Sequence, residues 1–385
     1  MAISPVRVAI IGGGIIGSLT AWRLKQLGMQ PVIIERGRMG CESSWAGAGI
    51  LCPIQPWLYP DDFSHLVNAS LAMYPELQQE LTSLSGISPE WLQSGLMVPF
   101  FPDDKVNHKQ AALDWSQRFQ WPVAELDAEQ VHHHEPLLAG DTTGALVWPD
   151  VAQVRNPRLL AAVHTVLQQQ QIEVIEQAEV TGLIEVADQV AGVELADGRS
   201  IHADAVLLAA GSWSGRLAEA IGISLPVQPV KGQIVLLQSE PGSLRHIVKH
   251  DSAYFVPRND GHILVGASME MVGFKAGNTV VEVQTMLNAL TRLLPGLGAA
   301  SIERQWMGFR PGTPDGLPFL GPVPGRHGLW VASGHYRNGV ALAPITAHII
   351  SRWMNGEPPE LDMSCFLPGR TMLASDKIGF PVAAS

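Results

Sequence analysis

Val6-Arg7-Val8-Ala9-Ile10-Ile11-Gly12-Gly13-Gly14-Ile15-Ile16-Gly17 stands almost at the start of the chain. A β-branched run of this kind reads as a buried parallel strand. Gly12, Gly14 and Gly17 fit G-x-G-x-x-G, and Ser18 to Gly28 then reads as a helix closed by a glycine. A second apolar run, Pro31-Val32-Ile33-Ile34, ends on Glu35. Strand, glycine turn, helix, strand and terminal acid make one βαβ unit that binds a dinucleotide. Gly12 permits the tight turn, Gly14 lets backbone approach a pyrophosphate, and Gly17 lets helix pack on strand. Ile15 and Ile16 open the helix, whose free N–H groups and macrodipole favour an anion. Glu35 can accept hydrogen bonds from ribose hydroxyls, and an acid there argues against a 2′-phosphate. NAD and FAD both remain open on this unit alone.

The rest of the composition narrows the class. At 385 residues with 46% apolar content the chain can build two or three domain-sized units around a large core. There are 25 basic and 36 acidic residues, a net charge of −11 with no Lys/Arg run. Nucleic acid and anionic membrane surfaces are therefore poor partners. Cys41, Cys52 and Cys365 are odd in number and lack metal spacing, which fits a reducing cytoplasm. No run of 18 uninterrupted apolar residues reads as a membrane span. His132-His133-His134 does not converge on one ion from a helix or a strand, so no metal site is expected.

Beyond Glu35 the loop Gly37 to Leu51 is rich in Ser, Ala and Gly, as suits backbone pressed close to a ligand. Helices are expected at 66–84, 158–171, 279–294 and 340–354, and strands at 172–175, 232–238, 252–257, 262–267 and 329–333. A hairpin is expected over 179–203, around Asp197-Gly198. The strand Asp204 to Gly211 can extend the nucleotide-binding sheet. The expected fold is α/β, a Rossmann-like domain with an interleaved α+β substrate domain built on an antiparallel sheet. The first comprises residues 1–85, 155–226 and 305–385, the second 86–154 and 227–304. Gly308 to Gly321 reads as a turn-dense loop around Arg310, and Ala253 to Arg258 places Tyr254 on a strand.

These segments together resemble the D-amino-acid oxidase family of FAD-dependent amine oxidoreductases, in its glycine oxidase (thiamine-biosynthesis) branch. The resemblance rests on the βαβ unit, Ser43 to Leu51, Tyr254 to Arg258, Gly308 to Gly321, and Gly334-His335-Tyr336-Arg337-Asn338-Gly339. It implies FAD rather than NAD. Arg36, Ser43 and Ser44 would lie near ribose and pyrophosphate, and Ala46, Gly47, Ala48, Gly49 and Ile50 beside the isoalloxazine. Val180 would meet adenine, with Gly211 and the Gly334–Gly339 segment completing the cofactor site. Arg310 and Tyr254 would hold the substrate carboxylate, with Arg337 close by. Arg supplies a planar fork and the Tyr hydroxyl a third donor.

The implied reaction is hydride transfer from a small amine to flavin. Its products are an imine, then glyoxylate or a 2-oxo acid, ammonia or amine, and, from molecular oxygen, hydrogen peroxide. The family's sarcosine-oxidising relatives attach flavin through a C-terminal cysteine. The Arg310–Gly321 loop has none, so FAD is expected to be non-covalent. Ser252 stands where some glycine oxidases have a histidine two residues before the tyrosine, which leaves glycine, sarcosine, D-alanine and D-proline unranked. Pro53 to Asp62, with Trp57 and Tyr59, is a candidate lid. The resemblance also suggests a homo-oligomer, with a tetramer as the candidate assembly. Two rival readings stand beside this one. A D-amino-acid dehydrogenase feeding a quinone would want an apolar membrane-facing patch. A flavoprotein with mainly a partner-binding role would not need Arg310 and Tyr254.

Overall fold

The structure, a computed structural model, describes residues 5–53, 55–104 and 108–372. Ile54, within the candidate lid, lies outside the described residues, as do the ends of the expected nucleotide domain and residues 105–107. Strand Arg7–Ile11 turns through the glycines into helix Ile15–Gln26 and returns as strand Gln30–Ile34. The two strands pair in parallel, Arg7 opposite Gln30 and Ile11 opposite Ile34. Strand Ala205–Leu208 adds in parallel on the other side, Val8 opposite Ala205. The six-stranded sheet runs Phe319–Pro322, Leu329–Ser333, Ala205–Leu208, Arg7–Ile11, Gln30–Ile34, Glu173–Ile175. Only the Phe319–Pro322 edge is antiparallel.

Burial on both faces explains why these strands lack polar alternation. Val8, Ile10 and Ile33 pack into the core formed with helices Ile15–Gln26, Asn156–Gln169 and Ala343–Met354. Ala9, Ile11, Val32 and Ile34 pack the other way, against a three-stranded antiparallel sheet of Val180–Val186, Gln189–Leu195 and Ser200–His202. The expected hairpin is thus three strands, with Asp197-Gly198 in the second of its two turns.

The second sheet has eight strands in the order Ser301–Gly312, Gln228–Gln238, His262–Gly266, Ala253–Pro257, Ile247–His250, Leu96–Phe100, Gly144–Trp148, Ala124–Asp127. All its pairs are antiparallel except Ile247–His250 with Leu96–Phe100. Its strands come from two separated stretches of chain, each inserted between parts of the six-stranded sheet. Ser301–Gly312 crosses the 304/305 boundary read from sequence. Arg310 therefore sits on a twelve-residue strand, not in a loop. Pairing with Gln228–Gln238 along its whole length overrides the turn signal of Gly308 and Pro311.

Two helices also differ from expectation. Residues 66–84 are split into Asp61–Ala72 and Tyr74–Ser85, with Pro75 in the first turn of the second. Proline has no N–H to continue the first helix and is tolerated only at a new start. The last helix begins at Ala343, with Pro344 in its first turn, and Tyr336–Asn338 forms a separate 3₁₀ turn. Among the described residues no helix is long and apolar enough to cross a membrane. Likewise, no group of three or more His, Cys, Asp or Glu among them could hold a metal ion.

Trp22 is 1% exposed, at the interface of the N-terminal helix with the rest of this core. Trp22→Ala should destabilise the fold by about 3–5 kcal/mol, as expected for emptying a large aromatic site. Chemical denaturation of the two proteins measures this. A loss below about 1 kcal/mol would mean that the site collapses around the gap.

Candidate active site

A cavity of about 540 Å³ opens at the carboxyl ends of the parallel strands, where open α/β sheets place their ligands. One end is built by Gly12, Gly14, Ile15 and Ile16 of the glycine turn and helix. Gly12 has φ +113°, and a Cβ there would sit 2.5 Å from the Ala209 carbonyl oxygen. Gly14 caps the helix without a side-chain hydrogen bond. Ser44 instead reaches over from the loop, its Oγ accepting from the Ile15 amide at 3.0 Å. The Glu35 carboxylate accepts from the Gly13 amide at 2.8 Å through Oε2 and from the Gly37 amide at 2.7 Å through Oε1. It is thereby fixed at the cavity wall with lone pairs to spare. Arg36 lies 3.5 Å from the Glu42 carboxylate and 4.1 Å over the Trp213 ring. Burial raises the Glu42 carboxyl, against the pull of Arg36. Val180 and Gly211 line this end as well.

The middle of the cavity is walled by Ala46, Gly47, Ala48, Gly49 and Ile50. Close packing against other backbone forces Gly49 to lack a side chain. A Cβ on Gly49 would lie 1.9 Å from the Val154 carbonyl oxygen. The loop is also tied from outside. Asn156 Nδ2 donates to Ser44 O at 2.8 Å, and Trp306 Nε1 to Ala46 O at 3.0 Å. Arg258 Nη2 donates to Ala48 O at 2.8 Å, while Nη1 donates to Val154 O at 3.1 Å and to Gln153 Oε1. Arg258 is thus spent on the scaffold and is no carboxylate clamp. Ser43 is similarly engaged, donating to Phe309 O.

The far end is made by the eight-stranded sheet. Arg310 and Tyr254 lie on strands with two others between them, and Arg310 stands four residues along its strand from Trp306, whose register runs through Ile234 and Gly266 to Tyr254. Their side chains lean over glycines in the two strands between them. A Cβ on Gly232 would sit 2.3 Å from Arg310 Nη1, and one on Gly266 would sit 2.5 Å from Tyr254 Cζ. Arg310 Nη1 donates to Ser268 O at 3.0 Å, which fixes the fork in plane. Burial raises the Tyr254 hydroxyl, and the Arg310 charge beside it acts the other way. Arg337 Nη2 stands 3.4 Å from the Tyr59 hydroxyl, and its Nε is buried without a partner. Among the described residues no carboxylate pairs with Arg337. Tyr336 is buried, with the Arg337 and Arg310 charges both acting on its hydroxyl. His335 is buried against Thr346 Oγ1 at 3.0 Å, and burial holds its ring neutral, pushed down to about 3.

Three residues expected at the cofactor lie off the cavity wall. Gly17 serves packing, since a Cβ there would sit 2.1 Å from Gly12 O. Gly334 is pressed on Thr313, 2.6 Å from where its Cβ would be. Asn338 is buried behind the 3₁₀ turn that its amide closes onto His335 O at 2.9 Å. His335, Tyr336, Arg337 and Gly339 do line it. Because the last helix starts at Ala343, this wall is a turn rather than that helix's first residues. Gly232 and Gly266 went unread in the sequence, although an isolated glycine inside a strand signals a close approach. In the candidate lid Tyr59 is buried and stacks on Phe63 at 4.4 Å.

A helix N-terminus entered through glycine, a fixed acid beside it and a cavity that runs from there to the second sheet suit a flavin dinucleotide. Comparisons with known proteins agree. The FAD dependent oxidoreductase family matches residues 7–353. Glycine oxidase of Pseudomonas aeruginosa is 39% identical over 363 residues, covering 94% of this chain and 98% of that protein. The bifunctional protein ThiO/ThiG of Synechocystis is 37% identical over 351 residues, 89% of this chain and 51% of that protein. The crystal structure of glycine oxidase from Geobacillus kaustophilus superposes with a TM-score of 0.88 at 30% identity, covering 96% of this chain and all of that one. The chain belongs to the D-amino-acid oxidase family of FAD-dependent oxidoreductases and is an amino-acid oxidase of its glycine oxidase branch.

Proposed function

We propose that the protein oxidises glycine and other small primary or secondary amines, among them sarcosine and small D-amino acids. The products are glyoxylate or a 2-oxo acid, ammonia or an amine, and hydrogen peroxide. The observation that carries this reading is the Arg310–Tyr254 pair, seated over Gly232 and Gly266 at the end of the cavity. A substrate with one carboxylate and almost no side chain offers a single strong handle. A planar fork plus a hydroxyl grips it and orients the α-carbon.

FAD, when bound, supplies the hydride acceptor and the path of electrons to oxygen. Gly14, Ile15, Ser44 and Glu35 would hold its dinucleotide half, and Ala46 to Ile50 its ring. The amine must be neutral to give up hydride, and the charges around it favour that form. The acids on the described cavity wall are Glu35, Glu42 and Glu179, all at the dinucleotide end, whereas the substrate end carries Arg310 and Arg337. A cationic environment lowers an ammonium pKa. Cys52 lines the cavity, but burial pushes its thiol up to about 12, so it is a poor nucleophile toward flavin. This and the absence of cysteine in Ser301–Gly321 support non-covalent FAD. The likeness to the ThiO portion of a ThiO/ThiG protein supports a role in thiamine thiazole synthesis.

Purified protein should release its FAD on acid precipitation and should produce peroxide from glycine in air. Flavin that remains on the polypeptide, or no peroxide from either glycine or sarcosine, would overturn the corresponding claim.

Arg310→Ala should keep the flavin spectrum yet lose about 3 kcal/mol or more of kcat/KM for glycine, because the substrate carboxylate is left unpartnered in a desolvated site. Arg310→Lys should recover part of this, and Tyr254→Phe should cost about 1 kcal/mol. Gly266→Ala should cost more than Tyr254→Phe, since its methyl displaces the whole ring. Near-parental kcat/KM in Arg310→Ala would move the clamp elsewhere.

Glu35→Gln keeps size but removes a charged acceptor worth about 1.5–3 kcal/mol per bond. It should weaken FAD retention while excess FAD restores turnover. An unchanged FAD dissociation constant would remove Glu35 from the site.

A further inference from the structure

Lys249 lies on strand Ile247–His250, directly opposite Tyr254 in the antiparallel pairing. Opposed residues share a face, so Lys249 lies on the same face of the sheet as Tyr254, one strand further from Arg310. Its Nζ donates at 2.8 Å to the carbonyl of Asp251, in the turn that joins the two strands. Burial and then the nearby Arg337 charge hold the ammonium below the usual lysine range, at about 8. The carboxylate that acts on Lys249 is Asp251, whose side chain is 86% exposed. Arg337 has no carboxylate partner among the described residues, and its Nε is buried and unbonded. The Cys52 thiol lies beside Lys249 and the Tyr59 hydroxyl beside Arg337, and the carboxylates on the wall of the cavity that Lys249 lines are Asp104 and Asp251. Like charges left to face each other in a desolvated site are relieved by an anion between them.

Room for that anion is continuous with the substrate position. A second cavity of about 130 Å³ reaches Lys249, and it shares Ile50, Cys52 and Tyr254 with the main one. Arg337 lines the main cavity with Arg310, and Lys249 lines the second, which adjoins it at those three residues.

We propose that Lys249 and Arg337 form a second anion subsite, and that the substrate class includes amines bearing two carboxylates, such as iminodiacetate. This rests on the reading of the protein as an amine oxidase. Arg310 and Tyr254 hold the carboxylate next to the reacting carbon, and Lys249 and Arg337 hold the distal one. Hydride leaves one methylene and the imine is hydrolysed. Iminodiacetate, oxygen and water then give glyoxylate, glycine and hydrogen peroxide. Lys249 is a specificity-determining residue in this scheme, distinct from the groups that hold the first carboxylate.

The test compares kcat/KM for iminodiacetate and sarcosine in the parent, Lys249→Met and Lys249→Arg. The ratio of the two substrates should fall about tenfold or more in Lys249→Met, the scale of one lost charged hydrogen bond, and mainly through KM. It should recover in Lys249→Arg. Binding is read separately by titrating the flavin spectrum with diglycolate and methoxyacetate, ether analogues that carry two carboxylates and one. Lys249→Met should weaken diglycolate about tenfold relative to methoxyacetate. Should Lys249→Met fail to retain flavin, Lys249→Gln takes its place. A substrate ratio and an analogue ratio both unchanged by the loss of charge overturn the subsite. Absence of peroxide from sarcosine and glycine in the parent would instead overturn the oxidase reading, and the titration would still judge the subsite.

Discussion

A buried guanidinium keeps the two halves of this site in register. Arg258 follows directly on strand Ala253–Pro257 and reaches back to the main chain at Ala48 and Val154 and to the side chain of Gln153. Burial holds its pKa down, at about 10. Such a charge is tolerated only because oxygens meet it, and removing them would leave it stranded. The same strand carries Tyr254, four residues earlier and so on the same face. One element therefore positions both the Tyr254 hydroxyl and the loop that walls the cavity at Ala46 to Ile50. In the function proposed above, this strand would set the distance between carboxylate grip and flavin ring.

Absent side chains matter as much as present ones. Gly232 and Gly266 clear a floor on which a guanidinium and a phenol lie toward each other, and Gly49 lets the cofactor loop lie against Val154. Gly17 lets the first helix descend onto the turn that precedes it. Each position trades local backbone entropy for a close approach that a methyl would forbid. In the function proposed above, Arg and Tyr on this floor would select for carboxylates and disfavour an ammonium that keeps its proton.

The nucleotide half was legible because its signals are local and mutually consistent. Five apolar residues, three glycines at fixed offsets and a terminal acid leave few alternatives for Val6 to Glu35. The eight-stranded sheet was harder. Ile247–His250 is a four-residue strand with two polar members, and nothing in its composition sets it apart from a loop. Its loss hid the register that puts Lys249 beside Tyr254. Gly308 to Gly312, the end of strand Ser301–Gly312, read as loop for the opposite reason. Gly308, Pro311 and Gly312 are turn residues by propensity, yet a long partner strand outweighs them. Arg258 and Arg310 both stand in segments that the sequence singles out, Tyr254 to Arg258 and Gly308 to Gly321. Only the tertiary fold separates Arg258, buried against Ala48 and Val154, from Arg310, which lines the cavity and is tied at one nitrogen to Ser268 O.

The strand order also governs how the chain comes to be folded. Arg7–Ile11, at the heart of the six-stranded sheet, pairs with Ala205–Leu208, which in turn pairs with Leu329–Ser333. The first of these leaves the ribosome some 300 residues before the last. At ordinary elongation rates that interval is roughly 15–65 s. Throughout it, the strand that will line the dinucleotide site has apolar faces and no completed sheet to cover them. The helix that packs on it from the other terminus, Ala343–Met354, arrives later still. Cofactor loading is thus a post-translational event for this topology, and the newborn chain depends on solubility that its own core cannot yet provide.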